Sequence, residues 1–547
     1  MTMHVHAGNR LEILVDELAG ILRRPSGSPL VPEIVVVQSR GMQRWVSMEL
    51  AERNGICANI SFPFPNAFLD SLYHSMLPDL FETPALDRRA MPFRIMQVLS
   101  EAPGREAYRD IDNYLKDDES GIKLFQLSER IADLFDQYLV YRPDMIQEWE
   151  AGREGHWQAD LWRRLTSAQT RLHRAELNDL LIQAMSDSSR VPDLARLFIF
   201  GISSLPPHHL EAFVALSARM PVHLFLMTPC REYWSDIVSE RQMNRIQQRA
   251  GADAESLHLE RGHPLLASTG KTGKDFFRLI CGQCPDMEDH FVPSEGDTML
   301  HCLQNDMLDL RDREKDGDLL PISDTDDSIR IHVCHSPLRE IEVLYDQILG
   351  MLNEDANLDL RDILVMAPDI ETYAPLIHAV FGARTDPRIS YSVADCGIRR
   401  QSRALEGFFS ILDLKGSRVT ASQVLAVLEC PWIRDKFQMG EGDIETIETW
   451  IRDTGIRWGI DPAARKGFNL PDFAEHTWKS GIDRLILGYA LPGGNENMFQ
   501  GILPYDFVEG DAAFVLGRFL DFLEALFQTV EAMHAVQGFS GWKDFIF

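Results

Sequence analysis

Gly270-Lys271-Thr272 is the one Gly-Lys-Thr of the chain, and that triplet closes a phosphate-binding loop when a glycine stands five residues earlier. Leu265 stands there instead, and Pro264–Ser268 does not read as the strand that feeds such a loop. The triplet reads as a surface turn before a helix around Phe276–Leu279. A two-metal nuclease needs several carboxylates converging on one point. Asp117-Asp118-Glu119 and the run Asp324 to Asp327 are acidic, but they lie in loop-like, solvated sequence. No nucleophile-elbow signature supports a Ser/His/Asp triad. His208-His209 follows Pro206-Pro207 and reads as a helix start rather than a metal pair. Cys281 and Cys284, with His290, His301 and Cys302 beyond them, could be imagined around zinc. Structural zinc sites usually add a second spaced ligand pair, and His301-Cys302 is adjacent, so these read as chance thiols. What remains is recognition. Arg40, Arg44, Arg142 and Arg174 sit at element boundaries, where arginine contacts phosphate or base, or makes surface salt bridges. Trp45, Phe62, Phe64 and Phe68 can stack bases or fill a core.

The elements that would position these groups alternate. Glu33–Ser39 is an apolar run of strand length, and Met42, Trp45, Val46 and Leu50 then recur at helical spacing. A mainly helical region spans about Asn66 to Asp187. Its clearest helix is Leu124–Tyr141, with Leu124, Leu127, Ile131, Leu134, Phe135, Tyr138 and Tyr141 on one apolar face. Strands return at Leu197–Ser203 and Val222–Thr228, with a helix from about His209 to Ser217 between them. Buried strands alternating with helices predict a parallel sheet covered on both faces. Arg311–Ser328 is polar and acidic and is the best linker. A second α/β unit is expected after it, with strands at Ile329–His335 and Asp362–Ala367. Between them Ser336 caps a helix and Pro337 takes its first position. The rest reads as helical, with a loop at Leu491–Pro504, and the chain stops at Phe547 inside an amphipathic pattern, which reads as a truncation.

Bulk properties set the outer limits. At roughly 150 residues per domain, 547 residues suggest about three or four domains. Hydrophobic content of 45% and charged content of 25% are ordinary for a globular chain, which excludes whole-chain disorder, collagen and coiled coil. The net charge of −29 argues against binding duplex DNA over the whole surface, but leaves room for a local basic channel. No apolar run reaches membrane-span length, and Met1–Arg10 carries no secretion signal. The eight scattered cysteines fit reduced thiols in a cytoplasm.

Two expected α/β units, each interrupted by a helical insert, suggest the layout of a superfamily 1 helicase motor. Such a motor holds phosphates in the loop after its first strand. Gln38 to Arg44 has one glycine and no lysine, so the expected loop cannot form the usual cradle. No acidic pair ends a strand where magnesium would be held.

The residues themselves resemble the RecC family, the gamma chain of exonuclease V. Val37-Gln38-Ser39, Gly41-Met42, Trp45 and Ala58-Asn59-Ile60 with Phe62-Pro63 match its opening block. Lys123–Ser128 followed by Ala132–Asp144 is the most specific match. Trp157-Gln158, His173-Arg174-Ala175, Gly201-Ile202-Ser203, Pro229-Cys230-Arg231, His263–Ser268 with Gly270-Lys271, and His335-Ser336-Pro337 extend it. The resemblance is dense to about residue 350.

It implies an α/β chain of two helicase-like (RecA-like) parallel-sheet units with helical inserts and a degenerate nucleotide site. Residues 1–85 and 190–315 would form the first unit, 86–189 its helical insert, 329–400 the start of the second and 401–547 a truncated helical insert. A C-terminal nuclease-like domain would be absent. The family's subunit has lost ATPase function, so no cofactor is expected in this chain. ATP and magnesium are used by its partners, a helicase–nuclease beta-type chain and a helicase alpha-type chain, resembling RecB and RecD. The complex processes broken duplex ends for recombination in the bacterial cytoplasm, associated with the nucleoid. This subunit guides single strands and reads a short hotspot sequence in one of them. The reading channel carries over to Gln38, Arg40, Arg44, Phe64, Asp70, Asp133, Leu134, Asp136, Gln137, Arg142 and Arg174. Gln and Asp can bond base edges, Arg can bind phosphate or base, and Leu or Phe can pack on unstacked bases. The family pattern has a small polar residue at Arg40, Gln at Arg44, Leu at Phe64 and Trp at Asp70. Those departures bear on which sequence is read, not on the fold. The alternatives are an active helicase or nuclease, and an assembly scaffold that reads nothing.

Overall fold

The computed structural model describes residues 3–24, 30–78, 89–101, 106–167, 173–186, 194–250, 260–284, 286–317, 319–383, 389–394, 402–491, 498–535 and 538–547. The chain divides into two units, Met1–Ile331 and His332–Phe547, so the break falls just past the acidic stretch that reads as a linker. Among the described residues no helix is long and apolar enough to cross a membrane.

The first unit opens with β1 (His4–Gly8), α1 (Leu11–Leu22), β2 (Glu33–Val36), α2 (Arg40–Asn54), β3 (Ile60–Ser61) and α3 (Pro65–Met76). A helical run follows: α4 (Met91–Ser100), α5 (Arg109–Leu115), α6 (Ile122–Tyr141), α7 (Pro143–Glu150), α8 (Trp157–Ser167) and α9 (Arg174–Ser186). The chain then returns through β4 (Leu197–Phe200), α10 (Pro207–Ser217) and β5 (Val222–Met227). Beyond it come β6 (Ile237–Val238), α11 (Glu240–Ala250), β7 (Glu260–Arg261), α12 (Pro264–Thr269), α13 (Lys271–Gln283), β8 (Met287–Asp289) and α14 (Met299–Leu308).

Six strands pair in the order β3-β2-β4-β5-β1-β8, all in parallel. Successive side chains of a strand point to opposite faces, so each apolar run serves two cores. Val35, Val37, Phe198, Phe200 and Phe225 pack under α1 and α2, against Leu14, Leu18, Val46 and Leu50. Val36, Leu197, Ile199 and Leu224 face the other way, against Leu72, Leu181, Phe213 and Phe276 of α3, α9, α10 and α13.

β1 is an element that sequence reading missed. It lies inside the sheet, between β5 and β8, so the run at Glu33 is the second strand. The turn after the first strand is therefore Gly8-Asn9-Arg10, which has one glycine and no lysine. It is fastened elsewhere: Asn9 exchanges two hydrogen bonds with the backbone of Val292 (2.9 and 3.0 Å), and Arg10 donates to Ser294 Oγ at 3.1 Å.

Lys271 begins α13 directly after α12, with no strand before it, as the surface-turn reading expects. The two glycines have a packing reason. An added Cβ would stand 2.9 Å from the Trp234 ring at Gly270 and 3.3 Å at Gly273.

The helical run has its own core of Met91, Ile95, Ile131, Phe135, Leu139, Ile146, Trp149, Leu161 and Trp162. Phe135 meets Trp162 edge-on at 5.4 Å, and Tyr138 meets Trp149 at 5.6 Å. This corrects the sequence reading of α6. Its buried stripe is Ser128, Ile131, Ala132, Phe135 and Leu139, while Leu134 and Tyr141 are 38% and 53% exposed. At 100° per residue the stripe is narrower than apolar composition implied, and Leu134 and Tyr141 fall off its edge.

The second unit is helical among the described residues. Pro337–Glu354 packs on Ile370–Ala383 through Ile341, Tyr345, Ile348, Val380 and Phe381. As the sequence predicts, Ser336 Oγ caps the first of these, accepting from Arg339 N at 3.3 Å, with Pro337 at its first position. A separate core gathers Val427, Ile447, Trp450, Trp478, Phe519 and Phe522. Neither expected strand of this unit is present. Ile329–His335 and Asp362–Ala367 find no ladder partner among the described residues, and Ile331, Val333, Leu364 and Met366 are at least 80% exposed. A strand needs a neighbour as well as a strand-forming sequence. Part of the expected Leu491–Pro504 loop, residues 492–497, lies outside the described residues.

Candidate single-strand interface

Parallel sheets open a crevice at the carboxyl ends of two adjacent strands whose connections leave in opposite directions. β2 and β4 are such a pair. β2 runs through α2 to β3 at the sheet edge, and β4 runs through α10 to β5 on the other side. Gln38 stands just beyond β2 and Ser203 just beyond β4. Ser203 donates to Gln38 Oε1 from both its backbone N–H (3.2 Å) and its hydroxyl (3.1 Å). Gly201 makes the turn with φ of +63°, and a Cβ there would come within 2.8 Å of Met42 Cε. Glycine is needed for both reasons.

Three further segments are tied to this crevice. Val37 N–H donates to Pro63 O at 3.1 Å, which sets Phe64, 40% exposed at the start of α3, beside the end of β2. Ser39 caps α2 by accepting from Met42 N at 3.1 Å, so Arg40 is its first residue. Arg44 follows one turn later, and both arginines are exposed. His208 Nδ1 lies 2.7 Å from Val140 O, which fastens the last turn of α6 to the first turn of α10. The loop that grips Gln38 thus also leads into the helix that grips α6.

On α6, Arg130, Asp133, Leu134, Gln137 and Tyr141 form one exposed stripe, with Asp136 half-buried beside it. Helical geometry requires this, because residues three and four apart share a face. Asp133 also lines a groove of about 1060 Å³ with Phe93, Tyr114, Phe125 and Arg130. Arg142 ends α6 and forks onto the Asp144 carboxylate through Nε (3.3 Å) and a terminal nitrogen (3.4 Å). The hydrogen bond from Arg142 holds the Asp144 carboxyl below the usual carboxylate range. Asp70 is half-buried on α3, and its carbonyl oxygen lies 3.0 Å from His74 Nδ1.

Arg174 is the first residue of α9, and its side chain lies outside the described residues. The buried ring of His173 sets where α9 starts. His173 Nε2 and Trp162 Nε1 both lie 2.9 Å from Glu150 Oε1, and His173 N–H donates to Glu176 at 3.0 Å. Burial works against the Glu150 charge, but the His173 and Trp162 hydrogen bonds outweigh it and hold its carboxyl below the ordinary value.

The structure therefore joins Gln38, Arg40, Phe64 and the end of α6 through backbone and side-chain bonds. Arg44 and Asp70 lie further along their helices. Sequence reading missed two groups here. Ser203 was visible only as part of a motif, and Tyr141 was assigned to the buried face. The acidic runs have structural uses: Asp118 accepts from Leu124 N at 2.8 Å and Asp326 from Met299 N at 2.6 Å. The seven described cysteines are free thiols, and burial raises those of Cys281 and Cys284. Cys396 lies outside the described residues.

A six-stranded parallel sheet with helices packed on both faces, and a crevice beside Gln38 and Ser203, places the chain among α/β proteins. Family comparison then fixes the relationship. The profile described as "RecC, N-terminal domain" matches residues 3–310, and "RecBCD enzyme subunit RecC fourth domain" matches residues 401–546. The chain belongs to the RecC family. It is 37% identical to the RecBCD enzyme subunit RecC of Escherichia coli, over 96% of this chain and 51% of that protein. The Haemophilus influenzae RecC subunit is 31% identical over 97% of this chain and 53% of its own length. That of Mycolicibacterium smegmatis is 30% identical over 100% of this chain and 51% of its own length. The chain spans about half the length of the curated relatives it matches.

Proposed function

We propose that this chain is part of the DNA-guiding subunit of a RecBCD-type helicase–nuclease, and that it reads a short hotspot sequence in one single strand. The observation that carries the reading is the family match at both ends of the chain, over residues 3–310 and 401–546. Supporting it, Gln38 bonds Ser203 across the β2/β4 crevice, Arg40 and Phe64 stand at the adjacent starts of α2 and α3, and Asp133, Leu134 and Gln137 share one exposed face of α6. An unstacked base offers edges to Gln and Asp, a face to Phe or Tyr, and its phosphate to Arg. Arg40, Arg44, Phe64 and Asp70 depart from the family pattern, so these four positions bear on which oligonucleotide is read.

In this reading the subunit performs no ATP chemistry of its own. The turn after β1 has no lysine and is bonded to Val292 and Ser294, and Lys271 sits in a helix–turn–helix. RecB-like and RecD-like partners supply the motors and the nuclease. The two units are then helicase-like domains with inserts at 86–189 and 401–547. Single-strand-stimulated ATP hydrolysis by the full-length chain alone tests this. No turnover is expected, with or without Lys271→Ala. Turnover that disappears in the Lys271→Ala protein would make that lysine a nucleotide ligand and overturn the reading.

A further inference from the structure

The β1 ladder gathers histidines that strand reading does not. His6 stands opposite Glu288 of β8, and His4 opposite His223 of β5. Residues two apart on a strand share a face. His4 and His6 therefore share one face, the face of Phe225, while Val5 packs on the other. His290 is two residues past Glu288 and continues that face, with its N–H bonded to Ala7 O at 2.7 Å to hold the register.

Three ligand-type atoms converge there. His6 Nδ1 lies 3.2 Å from Glu288 Oε2 and 3.4 Å from His290 Nε2, and the His290 and Glu288 atoms are 4.0 Å apart. A tetrahedral cation with ligand bonds of about 2.0–2.2 Å needs ligands about 3.3–3.6 Å apart. The triangle is close to one face of such a tetrahedron. Two imidazoles and a carboxylate are a ligand set for zinc-type cations, with the fourth position left to water.

The surrounding rings suit the same use. His6 Nε2 lies 3.1 Å from His223 Nδ1. With Nδ1 on a cation, Nε2 carries the proton and donates it to His223, the outer bond that orients a metal-ligating histidine. His223 is itself stacked on His4 at 4.9 Å and on Phe198 at 5.4 Å. His6 is 3% exposed while Glu288 is 60% exposed, so the site has a fixed inner wall and an open outer side.

We propose that His6, Glu288 and His290 bind a divalent transition cation of the zinc class, which fastens the edge strand β8 to β1. Such a cation ties the Val292–Ser294 segment, and with it the β1–α1 turn, into the sheet.

The test is cobalt(II) titration of the chelator-treated full-length protein, read by visible absorption and by thermal unfolding, with zinc as competitor. The expected result is one cobalt per site with bands of tetrahedral intensity, displaced by zinc, and a higher Tm on loading. Glu288→Gln lies at the open side and His290→Ala at the half-buried rim, so both should fold and weaken binding at least about tenfold with loss of the bands. Cys281→Ser and Cys284→Ser should leave the titration unchanged. Absence of tetrahedral bands in the unaltered protein overturns the proposal. So do bands that survive His290→Ala, or bands that disappear with the cysteine variants, which would move the metal to the thiols.

Discussion

Arg142 is held at the end of α6 by its fork onto Asp144, and both groups are more than half exposed. An exposed pair of this kind is worth about 0.2–1 kcal/mol. A phosphate competes with Asp144 for the guanidinium, so Asp144→Asn should free Arg142 for the strand. Single-strand affinity of the assembled complex should rise by up to about fivefold at low salt and return toward the unaltered value as salt screens it. Unchanged or weaker binding would remove Arg142 from the path. Glu150 gives a pH-dependent counterpart. Its folded-state pKa lies below its ordinary value of 4.5, so its contribution to stability is present above that pH and is lost as pH falls through the folded value. Glu150→Gln should flatten the acid side of the stability curve below pH 4.5, measured by urea unfolding across a pH series. An unchanged acid limb would contradict the role given to the Glu150–His173–Trp162 network. The site residues came from the family resemblance, and their amides, carboxylates and arginines suit the chemistry it implies. Exposure was not legible: Tyr141 and Leu134 read as core, and only the packed helix shows that the stripe turns away from them.

At the level of elements, β2, β4 and β5 were legible as unbroken apolar runs, and α6, α10 and the Ser336 cap as periodic or capped segments. β1 was not. His-Val-His-Ala-Gly carries polar rings at alternate positions and offers no apolar run, yet His6 is paired across the ladder with His223 and Glu288. The reverse error occurred at Ile329–His335 and Asp362–Ala367, whose composition suits a strand while the described chain offers no neighbour to pair with. Sheet order explains why one ion pair matters far from the crevice. Arg196 forks onto Glu33 at 2.6–3.2 Å, donates to Ile21 O at 3.1 Å and lies over the Phe198 ring. It locks β4 to β2 at the end opposite the crevice. Arg196 is buried while Glu33 is 24% exposed, so removing the arginine strands a partly solvated carboxylate, at about 1–3 kcal/mol. Arg196→Ala should lower stability by about that amount in denaturant unfolding, with Arg196→Met less affected because its stem still covers Phe198. A loss under about 1 kcal/mol in Arg196→Ala would show that the pair does not hold the strands.

At the scale of the molecule, a net charge of −29 repels nucleic acid from most of the surface. Under the proposed reading, contact is confined to local sites, and Arg40 and Arg44, both exposed on α2 beside the β2/β4 crevice, form the one it names. The acidic stretch before the break at Ile331 was readable from the sequence, and so was family membership, because Lys123–Ser128 and Ala132–Asp144 are dense and specific. The carriage of the first strand inside the sheet, and the unpaired segments of the second unit, needed coordinates. The central claim is that the crevice and the exposed face of α6 read bases without driving the motor. The most direct measurement follows single-strand products made from an end-labelled duplex carrying the hotspot, by the reconstituted complex with Asp133→Ala, Gln137→Ala or Gln38→Ala in the full-length subunit. The account predicts unwinding at the unaltered rate and loss of the hotspot-dependent product. A hotspot-dependent product that persists in all three variants would contradict it.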